Sequence, residues 1–168
     1  MLMAEPKSPR VARRDREVAE ALQRLVVAAV RYVPREISLS AASTLGRVER
    51  LGPRRITDLA ASEGVSQPSM TAMVTGLERA GFVARRPDPG DQRAVLVCLT
   101  DSGADYLQSL RQDWTEIFVR LLRQLSAGDA EVLVAAVPAL QRLEDFVTTD
   151  GGAGLAVAIG RRAAEVAS

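Results

Sequence analysis

A cluster of small polar side chains within ten residues is the part of this sequence best suited to binding chemistry. The set comprises Ser66, Gln67, Ser69, Thr71 and Thr75. Gln67 can form paired hydrogen bonds with adenine in the major groove, and a threonine methyl group can contact the methyl group of thymine. Helical spacing places Met70, Val74 and Leu77 on the opposite face. This pattern is typical of a helix that reads base edges, and also of an ordinary core helix with a polar outer face.

Arginines and turn residues follow this polar helix directly. Arg85 and Arg86 precede a turn-rich segment, and Arg93 closes it. A hairpin arginine suits the minor groove, because a narrow minor groove attracts a guanidinium. Asp91 is too short to reach DNA and phosphate would repel it, so we expect it to hold the Arg93 guanidinium or the loop backbone. The candidate phosphate contacts are Arg55, Thr57, Ser66 and Arg86; Arg93 is the candidate minor-groove contact.

The available residue types exclude most catalytic sites. The sequence has no histidine and one cysteine, Cys98. It therefore lacks the commonest metal ligand and general base, and it cannot form an intrachain disulfide. Neither a Walker loop nor a dinucleotide-binding glycine motif occurs. We expect a binding protein rather than an enzyme, with no cofactor and no metal.

Charge distribution favours an anionic partner. The formal net charge is +1 over 168 residues, but basic residues predominate in the first half and acidic residues in the second. No apolar run approaches the roughly 18 residues of a spanning helix, and the N-terminus does not resemble a signal peptide. We therefore expect a cytoplasmic protein.

Periodicity and stop signals predict the elements that position these residues. Four helices are expected at about 18–33, 38–50, 56–63 and 66–80. Thr57 and Ser66 are the expected N-caps of the last two, and Gly64 and Gly81 end them. Two strands are expected at 82–86 and 94–99, joined by a loop longer than two residues. Two long helices follow.

Caps mark the starts of these last two helices. Thr100 is the expected N-cap of the first, and Ser126 with Asp129 resembles a capping box at the start of the second. Pro138 lies inside the second and should bend it.

The central block resembles the MarR family of winged helix-turn-helix regulators. The resemblance covers roughly residues 15–148. Its motifs are Ile56-Thr-Asp-Leu-Ala, Gly64-Val-Ser-Gln-Pro-Ser-Met-Thr71, Leu77-Glu-Arg-Ala-Gly-Phe-Val83, and the wing with its D-x-R signature, Asp88-Pro-Gly-Asp91-Gln-Arg93, running to Thr100 and Asp101-Ser-Gly103. Many members carry arginine on the second helix of the helix-turn-helix, at positions where this chain has Ala72 and Gly76.

The resemblance implies a mainly α fold with a small β-hairpin wing and a helical dimerisation region. We expect a basic N-terminal arm at 1–14, a single domain at 15–148 and a tail at 149–168. Within the domain, the winged helix-turn-helix occupies about 38–100, and the dimerisation helices about 15–34 and 100–148. The resemblance also implies a homodimer that binds a palindromic double-stranded DNA operator as a repressor and is released by a small lipophilic or phenolic effector.

The sequence gives independent grounds for a dimer. A winged helix alone does not need amphipathic stripes on three extra helices, so these stripes require another surface. The candidate interface residues are Val18, Leu22, Leu25, Phe118, Leu122, Leu140 and Leu143. The same residues could instead complete the core of one chain.

Two alternative functions remain open from the sequence. Cys98 could act as a thiol sensor, although its apolar strand is typical of a packing residue. A winged helix that binds protein instead of DNA is the other alternative, and a steep salt dependence of DNA binding would exclude it.

Overall fold

Residues 9–33 and 36–148 are described by the computed structural model, and they form six helices and three short strands. In order these are α1 Pro9–Ala29, α2 Leu39–Leu51, β1 Arg54–Arg55, α3 Ile56–Glu63, α4 Gln67–Arg79, β2 Val83–Asp88, β3 Asp91–Leu99, α5 Asp101–Leu122 and α6 Ala127–Thr148. The strands form an antiparallel sheet in the order β1-β3-β2. The expected mainly α fold with a hairpin wing is confirmed.

Side-chain caps and a left-handed glycine set the helix ends in the central region. Ser66 Oγ accepts a hydrogen bond from the Ser69 amide at 3.3 Å, so Ser66 is the N-cap of α4 as predicted. Thr100 Oγ1 accepts one from the Gly103 amide at 3.0 Å and caps α5 in the same way. Gly64 ends α3 with a φ of 65°, a conformation that glycine adopts without steric cost.

The helix ends differ from the prediction in three respects. Helix α1 ends at Ala29 rather than near residue 33, and the chain continues in turns, in which the Tyr32 amide donates to the Ala29 carbonyl at 3.0 Å. Thr57 is not the N-cap of α3, because Arg55 occupies that position without a side-chain cap. Arg55 also belongs to β1, whose pairing with β3 holds the backbone extended until the helix begins. Helix α1 begins at Pro9, so residues 9–14 form its first turns rather than part of an arm. Residues 1–8 and the tail at 149–168 lie outside the described residues.

The wing hairpin is tighter than expected. Asp88 pairs with Asp91, which leaves Pro89 and Gly90 as a two-residue turn, so the prediction of a longer loop is wrong. The strand ends could not be located from the sequence, because turn-forming residues such as Pro87 lie within β2 itself. Proline is tolerated there because β2 is an edge strand, and a register irregularity follows it at Asp88.

The hydrophobic core lies between α2, α3, α4 and the root of the sheet. Its fully buried side chains include Leu45 of α2, Leu59 of α3, Met70 and Val74 of α4, and Val97 of β3.

Ion pairs around the core connect α2 to α3 and α5. Arg47 pairs with Glu63 of α3 at 2.8 Å, and Arg111 of α5 binds both carboxylate oxygens of Glu49 at 2.8 and 2.9 Å. The Arg111 hydrogen bond lowers the pKa of Glu49.

A tight joint connects the end of α4 to the start of α5. Thr100 Oγ1 donates a hydrogen bond to the Gly81 carbonyl at 2.6 Å, and the Thr100 amide donates one to the Phe82 carbonyl at 3.1 Å. A Cβ atom on Gly103 would lie 2.1 Å from that same Phe82 oxygen. Only glycine therefore allows α5 to approach this closely.

The last helix begins as predicted. The Asp129 amide donates to Ser126 Oγ at 3.2 Å, and Ser126 Oγ donates to the Asp129 carboxylate at 2.7 Å. Helix α6 continues through Pro138. Among the described helices, none is long and apolar enough to cross a membrane.

Candidate nucleic-acid interface

Helix α4 presents a polar face to solvent and an apolar face to the core. Gln67, Ser69 and Thr71 are exposed, whereas Met70 and Val74 are completely buried. The alternation follows the helical period, so the burial of the apolar face fixes which side chains point outward. The outward surface holds the predicted major-groove contacts, with the half-buried Thr75 at its edge.

Most hydroxyl groups on this face are already hydrogen-bonded within the protein. Thr71 Oγ1 donates to the Gln67 carbonyl and Thr75 Oγ1 donates to the Thr71 carbonyl, both at 2.9 Å. The Ser66 and Ser69 hydroxyl oxygens lie 2.8 Å apart. In contrast, the Gln67 side-chain amide has no hydrogen-bond partner among the side chains and backbone that the structure describes.

Arg85 of β2 binds α4 rather than extending from the wing. Its Nη2 donates to Thr75 Oγ1 at 2.9 Å, and its Nη1 donates to the Glu78 carboxylate. The side chain is half-buried. Sequence reasoning grouped Arg85 with the basic wing residues and missed this link. The signal that could have found it is Glu78, the acidic residue of α4 that precedes Arg85 in the sequence.

A second arginine, Arg55, anchors the wing. Its Nε and Nη2 donate to one carboxylate oxygen of Asp88 at 3.1 and 2.6 Å, and Nη2 lies 3.5 Å from the Asp91 carboxylate. The other Asp88 oxygen accepts from the Gly90 amide at 2.9 Å. These hydrogen bonds, with Arg55 first, lower the pKa of Asp88. The role of Arg55 as a phosphate contact stays a prediction, and two of its three guanidinium nitrogens, Nε and Nη2, already bind Asp88.

Asp91 binds the loop backbone. Its Oδ1 accepts a hydrogen bond from the Arg93 amide at 3.1 Å. This is the second of the two contacts that the sequence suggested. In the described part of the chain, Asp91 makes no contact with the Arg93 guanidinium, which was the other suggested partner. Asp91 therefore shapes the turn from which Arg93 projects.

Two wing arginines remain exposed. Neither the Arg86 nor the Arg93 guanidinium has an acidic or hydrogen-bonding partner within the described ranges. Thr57 is also exposed, at the start of α3, with its hydroxyl 3.4 Å from the Asp58 carboxylate. The polar face of α4 is therefore followed directly by a hairpin whose two exposed arginines, Arg86 and Arg93, have no counter-charge in the described ranges.

Comparison with known proteins identifies the family. The MarR family model matches residues 37–95. An HTH-type transcriptional regulator of Mycobacterium bovis is 34% identical over 109 residues, which are 65% of this chain and 76% of that protein. The chain belongs to the MarR family. It is accordingly a transcriptional regulator with a DNA-binding winged-helix fold.

Two further comparisons agree with this MarR-family assignment. The transcriptional repressor NicR of Pseudomonas putida is 31% identical over 111 residues, 66% of each chain. The crystal structure of a transcriptional regulator protein from Pseudomonas aeruginosa has a TM-score of 0.65 and 28% identity, and it covers 79% of this chain and 97% of that one. The likeness therefore extends beyond the helix-turn-helix to the surrounding helices.

Helices α1, α5 and α6 of this MarR-family chain carry apolar side chains that its own core does not cover. Exposed fractions among the predicted interface residues are 58% for Val18, 45% for Leu25, 42% for Leu122, 43% for Leu140 and 50% for Leu143. Leu22 and Phe118 are half-buried, and Phe118 stacks on Trp114 at 5.8 Å. The exposure of the first five disfavours the alternative that they complete the core of one chain, whereas the half-buried Leu22 and Phe118 fit either interpretation.

The described residues give little support for a reactive thiol, a metal site or an effector pocket. Cys98 is 9% exposed in β3, with Sγ 4.0 Å from the Leu96 carbonyl oxygen. No group of three acidic or cysteine side chains in the described ranges could hold a metal ion. An open groove of about 340 Å³ runs along α5, lined by Gln108, Arg111, Gln112, Thr115 and Glu116. A groove lined by one helix of one chain does not define an effector site.

Proposed function

We propose that this chain is a homodimeric, non-enzymatic repressor that binds a palindromic DNA operator and is released by a small lipophilic or phenolic molecule. The observation that carries the proposal is the exposed polar face of α4 beside two wing arginines, Arg86 and Arg93, without counter-charges in the described part of the chain. The related protein NicR from Pseudomonas putida is named as a repressor, which supports repression rather than activation.

In the proposed complex, α4 lies in the major groove. Gln67, Ser69, Thr71 and Thr75 face base edges there, while Arg93 enters the minor groove. Arg55, Thr57, Ser66 and Arg86 contact phosphates, since they lie at helix starts and on the wing around this face. The N-terminal end of α4 adds its dipole to the attraction for phosphate.

The uncovered apolar side chains on α1, α5 and α6 support the proposed dimer. Leaving several half-exposed leucines and valines in water is unfavourable, because burial of apolar surface is worth roughly 25 cal/mol per Å². A second copy supplies the matching surface by two-fold symmetry. The two α4 helices would then lie about 34 Å apart, one DNA turn, which requires a palindromic operator.

Release by a small molecule is proposed from the family resemblance. The pocket would lie between the dimerisation helices and the DNA-binding region. Burial of the Cys98 thiol in β3 disfavours the alternative of release through thiol oxidation.

Fluorescence anisotropy with the DNA upstream of the chain's own gene tests DNA binding, against a scrambled duplex at several salt concentrations. We expect specific binding that weakens steeply with salt, because bound cations release counterions from phosphates. Arg93→Ala should weaken specific binding by about 1–3 kcal/mol. Arg123→Ala is the matched control, since it removes an equal charge from the end of α5, away from the wing.

The outcomes separate the alternatives. Equal affinity of Arg93→Ala and the wild-type protein would refute the role of the wing. If a selection of bound genomic fragments also enriches no sequence, the chain does not read DNA, and the protein-binding alternative takes its place.

Sedimentation tests the dimer. Wild-type protein should sediment as a dimer at micromolar concentration, and Leu143→Arg should dissociate it by burying a charge at the interface. Gln112→Arg, on the exposed side of α5, should leave the dimer intact. A monomeric wild-type protein would contradict the proposal.

A further inference from the structure

The base-reading surface of α4 carries no charge along most of its length. From Gln67 to Leu77 the helix contains no lysine, arginine, aspartate or glutamate. The two charged residues of α4 come in its last turn, where Glu78 is bound by Arg85. Guanine is most often specified by a cation that donates to its O6 and N7 atoms. The first three turns of α4 cannot make that contact.

The hydroxyl groups on this surface have few free donors. Thr71 and Thr75 both donate their hydrogens to carbonyls of the helix itself. Thr75 oxygen also accepts a hydrogen bond from Arg85. The Ser66 and Ser69 hydroxyls share one hydrogen bond, so the hydrogen of only one of the two stays free. A hydrogen bond from either threonine to a base acceptor would first have to break a bond within α4.

Apart from the one free serine hydrogen, two kinds of contact therefore remain for base recognition. The Gln67 amide is exposed and without a partner in the described part of the chain, so it can form the paired hydrogen bonds that match adenine N6 and N7. The exposed apolar groups of α4 include the ring of Pro68 at its start and, one turn further along, the methyl groups of Thr71 and Ala72. In the major groove their natural complement is the 5-methyl group of thymine.

We propose that α4 reads an A·T-rich half-site, in which Gln67 specifies one adenine and the methyl groups of Thr71 and Ala72 specify thymine. The proposal rests on the proposed function, in which α4 lies in the major groove. Arg93 acts in the same direction, because a narrow minor groove in A·T-rich DNA attracts arginine. Thr75 faces the groove at the edge of this surface, and its hydroxyl also links α4 to Arg85 of β2.

Selection from a pool of random duplexes tests the adenine contact. The wild-type protein should enrich a palindrome with an adenine at one fixed position in each half. In Gln67→Ala, discrimination for that adenine should fall by roughly tenfold to a hundredfold, while preferences at the other positions remain. Gln67 is exposed at the first position of α4, so the variant should fold as the wild-type protein does.

Deoxyuridine tests the methyl contacts on the selected duplex. Replacing a contacted thymine by deoxyuridine removes only the methyl group, and wild-type binding should weaken by roughly fourfold for each methyl lost. Thr71→Val keeps a methyl group and removes the hydroxyl, whereas Thr71→Ser does the reverse. Thr71→Val should retain affinity and sensitivity to deoxyuridine at its contact, and Thr71→Ser should lose both. Deoxyuridine outside the half-sites is the control.

Each outcome supports or overturns a defined claim. If the wild-type protein enriches no sequence, the proposed function itself fails. If it enriches a sequence whose specificity survives both Gln67→Ala and deoxyuridine substitution, the regulator stands and the proposed readout is overturned. If Thr71→Ser binds as well as the wild-type protein while Thr71→Val does not, the hydroxyl contacts DNA and the methyl assignment is wrong.

Discussion

Replacing Gly103 by alanine should destabilise the protein through a backbone collision. The new Cβ would lie 2.1 Å from the Phe82 carbonyl oxygen and 2.8 Å from Leu99 Cδ1. The carbonyl cannot move freely, because it accepts a hydrogen bond from the Thr100 amide at 3.1 Å. The alanine methyl group must therefore separate α5 from the end of α4.

The magnitude follows from three contributions. Overpacking costs about 1–3 kcal/mol, and loss of the Thr100 hydrogen bond adds about 1 kcal/mol. Alanine recovers up to about 1 kcal/mol through its higher helix propensity. We expect a net loss of about 1–3 kcal/mol in the free energy of unfolding. Gly76→Ala is the matched control, since nothing lies within 4 Å of its Cβ, and it should stabilise the protein by about 0.5–1 kcal/mol.

Urea unfolding monitored by far-UV circular dichroism measures both variants. Protomer concentration must be equal in all samples, because the stability of a dimer depends on concentration. The two alanine substitutions should shift the midpoint in opposite directions from the wild-type value, with similar slopes. A Gly103→Ala protein as stable as Gly76→Ala would refute the close approach of α5 to Phe82.

Further predictions concern the wing and the cap of α4. Asp88→Asn should lower stability at neutral pH because Arg55 loses its charged partner. The pKa of Asp88 in the folded protein lies below the unfolded value of about 3.9. The stability difference between Asp88→Asn and the wild-type protein should therefore be complete above that value and disappear as the pH falls through the folded pKa. Urea midpoints measured across this pH range test the expectation. Ser66→Ala should cost about 0.5–2 kcal/mol of stability by removing the N-cap. Ser66→Asp should retain the cap and the stability, yet weaken operator binding in anisotropy, since its carboxylate would face phosphate; unchanged binding would contradict a phosphate near Ser66.

Local signals were sufficient for most of the secondary structure. Ser66 and Thr100 act as caps through bonds to residues three positions ahead, and Gly64 acts through its own φ. Such effects depend on neighbouring residues and can be predicted from sequence. The apolar stripe of α4 was equally predictable, since Met70 and Val74 repeat at the helical period.

Tertiary contacts account for what sequence reasoning missed. Arg55 and Asp88 are 33 residues apart, and no local pattern pairs them. Strand β1 has two residues, too few to show an alternating period. The basic character of Arg85 suggested a surface role, but the fold places Thr75 and Glu78 within its reach. These contacts depend on the packing of β2 against α4.

The two-residue tip of the wing has a thermodynamic consequence. Proline fixes φ at Pro89, while Asp88 holds the Gly90 amide and Asp91 holds the Arg93 amide. Little backbone freedom remains for the tip to lose when a ligand orders it, whereas ordering one free residue costs roughly 1–2 kcal/mol. The wing should therefore bind as a preformed element, and its contribution to the heat capacity change of association should be that of surface burial alone, without coupled folding.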